Sequence, residues 1–378
     1  MTIKVGVIAS TYAPICKNAK KGTEIFIYQY LHGLQEKHNL SPILFASGDS
    51  KVNCRLLSLQ QKASLNDPDI AGKYHSFFET AHIGYALSYQ NSIDLYHVHI
   101  GNGETVLPFF PFIHKPILIT LHYHLTKSYR KKLYSLFGTN KNVFFISISN
   151  SQRLPLPFLN YIKTIYHGID AALFQFNAKG GNNIMWAGRI SPEKGMIKIF
   201  KVIDKTKRAA KIFALTNSDN SSWFNNQFLQ KNQALIKKSG SLVRQNLNRK
   251  QLIKYYQTSK LFLSPITWEE PFGMVMIESM ACGTPVVAYA RGSVPEIVKD
   301  GETGFIVNPS DNDIRGNWLI KKTGIEGLIE AVEKIYNLSK EDYLRMRQAC
   351  RKHVEKHFTI KRMVNEYVEV YKELTKTG

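Results

Sequence analysis

The residues best suited to chemistry lie in the run Trp268-Glu-Glu-Pro-Phe-Gly-Met-Val-Met-Ile-Glu-Ser-Met-Ala-Cys-Gly-Thr-Pro-Val-Val287. A strand over 261–264 leads into a loop where Pro271 and Gly273 leave backbone amides free, and a helix starts near Met274 and stops at Gly283. Free amides at a helix N-terminus attract anions and hydroxyl oxygens. Glu270 stands at the rim of that turn, and Glu278 lies inside the helix, able to turn back towards the same cleft. One carboxylate can then hold sugar hydroxyls while the other holds ribose hydroxyls. Taken singly, Glu270 also reads as a helix cap and Glu278 as a solvated charge. The Pro-Phe-Gly turn and the Ala-Cys-Gly-Thr-Pro-Val exit around them favour a site.

A second run, Trp186-Ala-Gly-Arg-Ile-Ser-Pro-Glu-Lys-Gly195, ends a buried strand at Gly188 and opens a helix at Ser191-Pro192. Arg189 and Lys194 flank that opening, one as a fork and one as a point charge, and can converge on a diphosphate. A third, Lys20-Lys-Gly-Thr-Glu24, follows the first strand and leads into a helix as a strand-to-helix turn. His97-Val-His99 and Thr120-Leu-His-Tyr-His124 close two strands. Such pairs suit either structural bonding or a metal, and no carboxylate or cysteine cluster accompanies them. Asp67-Pro-Asp69 and Asp311-Asn-Asp313 read as turn residues, so no metal is expected.

The elements that must position these groups follow from apolar patterning. Strands are expected at 4–9, 42–46, 95–99, 117–121, 143–147, 164–166, 183–187, 211–215, 261–264 and 285–288, alternating with helix-like segments. Several are continuous apolar runs, as strands covered on both faces are. That alternation predicts two doubly wound α/β domains, for which 378 residues are ample. The boundaries are drawn at 1–168, 169–350 and 351–378. The last segment is a helix expected to cross back onto the first domain.

At this point the sequence resembles the family-four (group 1) retaining glycosyltransferases of the GT-B fold. Their hallmark, two glutamates separated by seven residues, matches Glu270 and Glu278. Ser293-Val-Pro-Glu-Ile-Val298 and Asp300-Gly-Glu-Thr-Gly-Phe305 match as well. The resemblance implies two Rossmann-like domains facing each other across a cleft. It implies a nucleotide diphosphate sugar (UDP- or GDP-hexose) as co-substrate, no cofactor and no metal. By the same resemblance Arg189 and Lys194 bind the pyrophosphate and Glu278 the ribose. Glu270 with the backbone of Phe272, Gly273, Met274 and Val275 holds the sugar, and His122 lies near it. His99 lines the acceptor side. The family has paired glycines where this chain has Lys21 and Gly22, and a glycine where it has Ala214-Leu-Thr-Asn217. The acceptor is expected to be a glycan, lipid-linked or small molecule, as in cell-envelope polysaccharide synthesis.

The net charge is +21, and residues 179–260 hold 17 Lys and Arg against 3 Asp and Glu. Such a field draws nucleic acid, anionic lipid or phosphorylated small molecules. No nucleic-acid-binding motif is present, and the charge gathers at the expected diphosphate cradle, so no nucleic acid partner is expected. Leu125, Tyr129, Leu133, Leu136 and Phe137 recur at helical spacing, with Lys127, Arg130 and Lys131 round the wheel. This segment is either a packed surface helix or a contact for an anionic membrane surface. The four scattered cysteines fit a reducing compartment. With no apolar run long enough to span a bilayer, the expectation is a cytoplasmic protein, soluble or peripheral at the inner face of the membrane. A nucleotide-sugar-binding protein that has lost catalysis is the alternative.

Overall fold

The computed structural model of the protein describes residues 2–19, 21–37, 39–70, 73–137, 140–216 and 224–376. The chain divides into two units, Met1–Gly168 with Ile360–Gly378, and Ile169–Thr359.

The first unit holds a parallel sheet of β1 (Ile3–Ala9), β2 (Leu40–Phe45), β3 (Arg55–Leu57), β4 (Leu95–His99), β5 (Ile117–Thr120), β6 (Val143–Ser147) and β7 (Tyr161–Thr164), in the order β3-β2-β1-β4-β5-β6-β7. Around it run α1 (Gly22–Gln35), α2 (His75–Leu87) and α3 (Ser128–Leu136). β1 is buried from Val5 to Ala9, as its run of Val and Ile requires.

The second unit has β8 (Ile184–Arg189), β9 (Ala210–Leu215), β10 (Leu242–Gln245), β11 (Leu261–Ser264), β12 (Val286–Tyr289) and β13 (Gly304–Val307), again parallel, ordered β10-β9-β8-β11-β12-β13. Its helices are α4 (Met196–Thr206), α5 (Gln230–Ser239), α6 (Arg249–Gln257), α7 (Met274–Ala281), α8 (Val294–Ile297), α9 (Gly324–Tyr336) and α10 (Lys340–His357).

The final helix, α11 (Ile360–Lys376), belongs to the first unit. It packs Met363, Val364, Tyr367, Val368, Val370, Tyr371 and Leu374 into the core formed by α1, β1 and β4. The returning segment is shorter than the expected 351–378, because residues 351–357 still belong to α10 in the second unit.

Three strands lie outside the sequence reading, and each has a physical reason. β3 and β10 are sheet edges carrying Arg55, Arg244 and Gln245, so no apolar run marks them. β13 is short, opens on Gly304 and follows Gly301, so the stretch reads as a loop. β7 sits at 161–164 rather than 164–166, since the Tyr166 and His167 carbonyls turn away to accept from Arg362 on α11.

The wheel drawn for α3 is also corrected. Arg130 is buried and donates to Glu104 at 2.7 Å and to the His124 carbonyl at 2.9 Å, beside buried Tyr134. Tyr129 and Leu136 are exposed instead. A guanidinium with two fixed acceptors outcompetes an apolar stripe for the inner face.

Candidate active site

In an open parallel sheet, ligands bind beyond the carboxyl ends of the strands, where the strand order reverses. In the second unit that point lies between β8 and β11, which pair directly while their connections leave in opposite directions. Arg189 is the last residue of β8, and the Trp268–Gly273 turn follows β11. The topology alone therefore brings the two chemical runs to one crevice.

Lys194 Nζ donates to Glu270 Oε2 at 2.6 Å, and Trp268 Nε1 donates to the same oxygen at 2.8 Å. Lys194 also lies 4.7 Å over the Trp268 ring, a cation–π contact that steadies both donors. The turn bearing Lys194 is set by Gly195 at φ +70°, where a Cβ would stand 1.9 Å from the Pro265 carbonyl oxygen. Only glycine allows that approach. Among the described residues nothing pairs with the exposed Arg189, which leaves its guanidinium open to an anion.

Gly273, at φ +86°, caps α7, and the amides of Met274 and Val275 open the helix ahead of any intrahelical acceptor. The Phe272 side chain is core, edge-on to Phe358 at 5.9 Å, so only its backbone serves the turn. Ser293 locks that backbone: its N–H donates to the Glu270 carbonyl at 2.9 Å and its Oγ to the Phe272 carbonyl at 2.7 Å.

Glu278 turns towards α6. It accepts from Arg249 at 3.4 Å and from the Tyr256 hydroxyl at 3.2 Å. Burial pushes its carboxyl above the usual range, against the opposing pull of Arg249 and Tyr256.

In the first unit Lys21 takes the N-cap of α1 with extended backbone and lies 3.6 Å over the Tyr12 ring. That position suits any side chain, so lysine replaces the expected glycine without strain. Gly22 opens α1, and a Cβ there would meet nothing within 4 Å. Lys20 and Asn217 lie outside the described residues. Thr216 ties β9 to β10, its N–H donating to Asn246 Oδ1 at 3.0 Å and its Oγ1 to Gln245 at 3.1 Å.

His97, His99, His122 and His167 form one cluster. His99 Nδ1 bonds His122 Nε2 at 3.0 Å, His122 stacks on His167 at 5.8 Å, and Phe26 touches all three. His97 bonds Tyr371, Tyr30 and Thr120. Burial takes His122 down to about 3 and the other three well below the usual range, so all four are neutral at physiological pH. His122 can offer a hydrogen bond but not a charge. Asp67 and Asp311 serve turns, and no group of three or more His, Cys, Asp or Glu among the described residues is placed to hold a metal.

The sequence reading gave no role to Arg249, Tyr256, Trp268 or Ser293. The Asn248-x-x-Gln251 capping box that starts α6 was visible, but nothing in sequence shows that α6 faces α7.

Two doubly wound units, one with a cation–carboxylate pair and an exposed arginine at its switch point, define a two-unit α/β protein. Residues 170–322 match the family model described as "Glycosyl transferases group 1". That match lies within the second unit, and the fold is that of the GT-B glycosyltransferases. Sucrose-phosphate synthase of Thermosynechococcus elongatus superposes with a TM-score of 0.76 at 17% identity over 100% of both chains. HepE of Anabaena, solved with UDP and glucose, superposes with 0.72 at 14% identity over 98% of this chain and 99% of its own. A 41.2 kDa protein of the cps region of Klebsiella pneumoniae is 28% identical over 193 residues, 50% of this chain and 46% of its own. The chain spans about half the length of the first curated relatives it matches.

Proposed function

We propose that the protein is a retaining, metal-independent glycosyltransferase that moves a hexosyl group from UDP- or GDP-hexose to a glycan, lipid-linked or small-molecule acceptor. The Lys194–Glu270 pair carries this reading: it stands beside the start of α7, at the β8/β11 switch point, inside the segment that matches the group 1 glycosyltransferases. The UDP bound by HepE supports a nucleotide donor.

Arg189 and Lys194 take the diphosphate, whose negative charge grows as the bond to the anomeric carbon breaks. Glu270 and the amides of Gly273, Met274 and Val275 hold the sugar, and Glu278 holds the ribose. The acceptor oxygen forms its bond on the face the leaving group departs from, and its proton passes to a donor phosphate oxygen. On the first unit, neutral His122 offers a ring nitrogen to a sugar hydroxyl, and Gly22 leaves the first amides of α1 open to an oxygen. Exposed Tyr129 and Leu136, with Lys127, Lys131 and Lys132, supply a face for an anionic membrane surface. No helix of the described residues is long and apolar enough to cross a membrane.

A panel of nucleotide sugars, read by thermal stabilisation and then by mass analysis of products with and without chelator, tests the proposal. Stabilisation by a UDP- or GDP-hexose and a glycosylated product that survives EDTA are expected. Stabilisation without any product would leave a sugar-binding protein, and no stabilisation by any donor would sink the reading.

A further inference from the structure

Asp313, expected only to shape a turn, stands in a closed ring of charges. Glu269 accepts from Arg291 Nη1 at 3.1 Å and from Arg315 Nη1 at 2.9 Å. Asp313 accepts from Arg291 Nη2 at 2.6 Å and from Arg315 Nε at 2.7 Å. Each arginine bridges both acids, a two-pronged geometry that lysine could not supply. Arg291 leaves its Nε buried without a partner, so the two acids set its orientation.

The ring gathers three segments: the turn before α7, the loop after β12 and the loop after β13. Asn308 clasps the last of these, accepting from the Arg315 N–H at 2.8 Å and donating to the Gly316 carbonyl at 2.9 Å. The sequence neighbours of ring members then meet with no slack. Gly292, at φ +53°, lies so close to Glu270 that a Cβ would stand 2.3 Å from its carbonyl oxygen and 2.5 Å from its nitrogen. The Gly292 N–H donates to Glu269 Oε2 at 2.7 Å.

We propose that Glu269, Arg291, Asp313 and Arg315 are positioning residues that fix the Glu270 carboxylate, acting through the close backbone contact between Glu270 and Gly292. The proposal rests on the donor-binding reading of Glu270 given above. A carboxylate that must meet one sugar hydroxyl loses much of its effect when displaced by a fraction of an ångström.

Trp268 gives a direct reporter, because its indole N–H bonds Glu270 Oε2. In protein labelled with 15N-tryptophan, Asp313→Asn and Arg315→Gln are each expected to move the Trp268 indole resonance. The Trp186 indole, which donates to the Lys194 carbonyl at 3.3 Å, should stay in place. Both variants should lower transfer kcat/KM about tenfold with nucleoside diphosphate affinity held within about twofold. Asp313→Glu should restore both readouts. An unmoved Trp268 resonance in both variants overturns the proposal, as does a kcat loss matched by an equal loss of folded protein. Should the wild type bind and turn over no nucleotide sugar, the donor reading fails by itself, and the indole resonance still decides the ring.

Discussion

Glu270 Oε2 already receives two donors, which leaves Oε1 for the sugar hydroxyl of the proposed donor. Glu270→Gln keeps the shape and removes the charge that orders both donors. Its kcat/KM is expected to fall by about a hundredfold, the scale of losing one preorganised electrostatic contact. Glu278→Ala acts at the other end of the donor and should raise donor KM more than it lowers kcat. Arg189→Ala should depress kcat more. Steady-state kinetics check all three, and wild-type values in Glu278→Ala and Arg189→Ala would remove the assignment. The histidine cluster makes a separate prediction from pH. Burial lowers all four folded-state pKa values, so below about 6.5 the unfolded chain binds protons that the folded chain does not. Their contribution to stability is therefore complete above that pH and is lost as pH falls towards 3. Four such groups give a slope of up to about 5 kcal/mol per pH unit well below their unfolded pKa. Unfolding midpoints measured between pH 7.5 and 5 should drop, and a flat profile would count against the neutral cluster.

At the scale of elements, the two ends of α7 are served by different parts of the chain. Its N-terminus presents the amides and Glu270, while α10 holds its C-terminus. Arg347 is fully buried and donates to the carbonyls of Cys282, Asn177, Gln257 and Ser259. Arg351 donates to those of Ala281, Phe174 and Ala171. Cations there complement the helix dipole and satisfy carbonyls with no intrahelical partner. Arg347→Met should destabilise the second unit by about 3 kcal/mol, since several buried carbonyls lose a charged donor. Urea unfolding measures this, and a change below about 0.5 kcal/mol would mean solvent takes over those carbonyls. The same elements show what the sequence disclosed. The inner strands β8, β11 and β12 are largely apolar runs, β1 is apolar apart from Lys4, and their alternation with helices was enough to give a doubly wound fold. Lys194 and Glu270 were legible because glycines and prolines punctuate their turns. Arg249, Tyr256 and the Arg291–Arg315 ring were not, since each depends on two helices or loops meeting across the sheet, which periodicity does not encode. Arg130 was misread because a wheel shows spacing and not the acceptors that draw a charge inward.

For the whole molecule, the positive balance between residues 179 and 260 coincides with the elements from β8 to the start of β11, on the flank where Arg189 stands open. These residues belong to the β10-β9-β8 half of the second unit's sheet and its helices. Affinity for a nucleoside diphosphate should accordingly weaken as salt rises from 50 to 500 mM, over which the screening length contracts from about 14 to about 4 Å. A salt series by calorimetry tests this, and a constant Kd would assign recognition to uncharged contacts.

The second unit is one unbroken stretch, Ile169–Thr359, whereas the first is written in two instalments. Its sheet core stays open until Tyr367 and Tyr371 arrive to meet His97 and Tyr30. A chain leaving the ribosome can thus finish its second unit while its first still waits for residues 360–378. A stop codon after Thr359 should yield a protein whose trailing portion melts normally and whose leading portion is open to protease. What the ribosome makes first, the fold completes last.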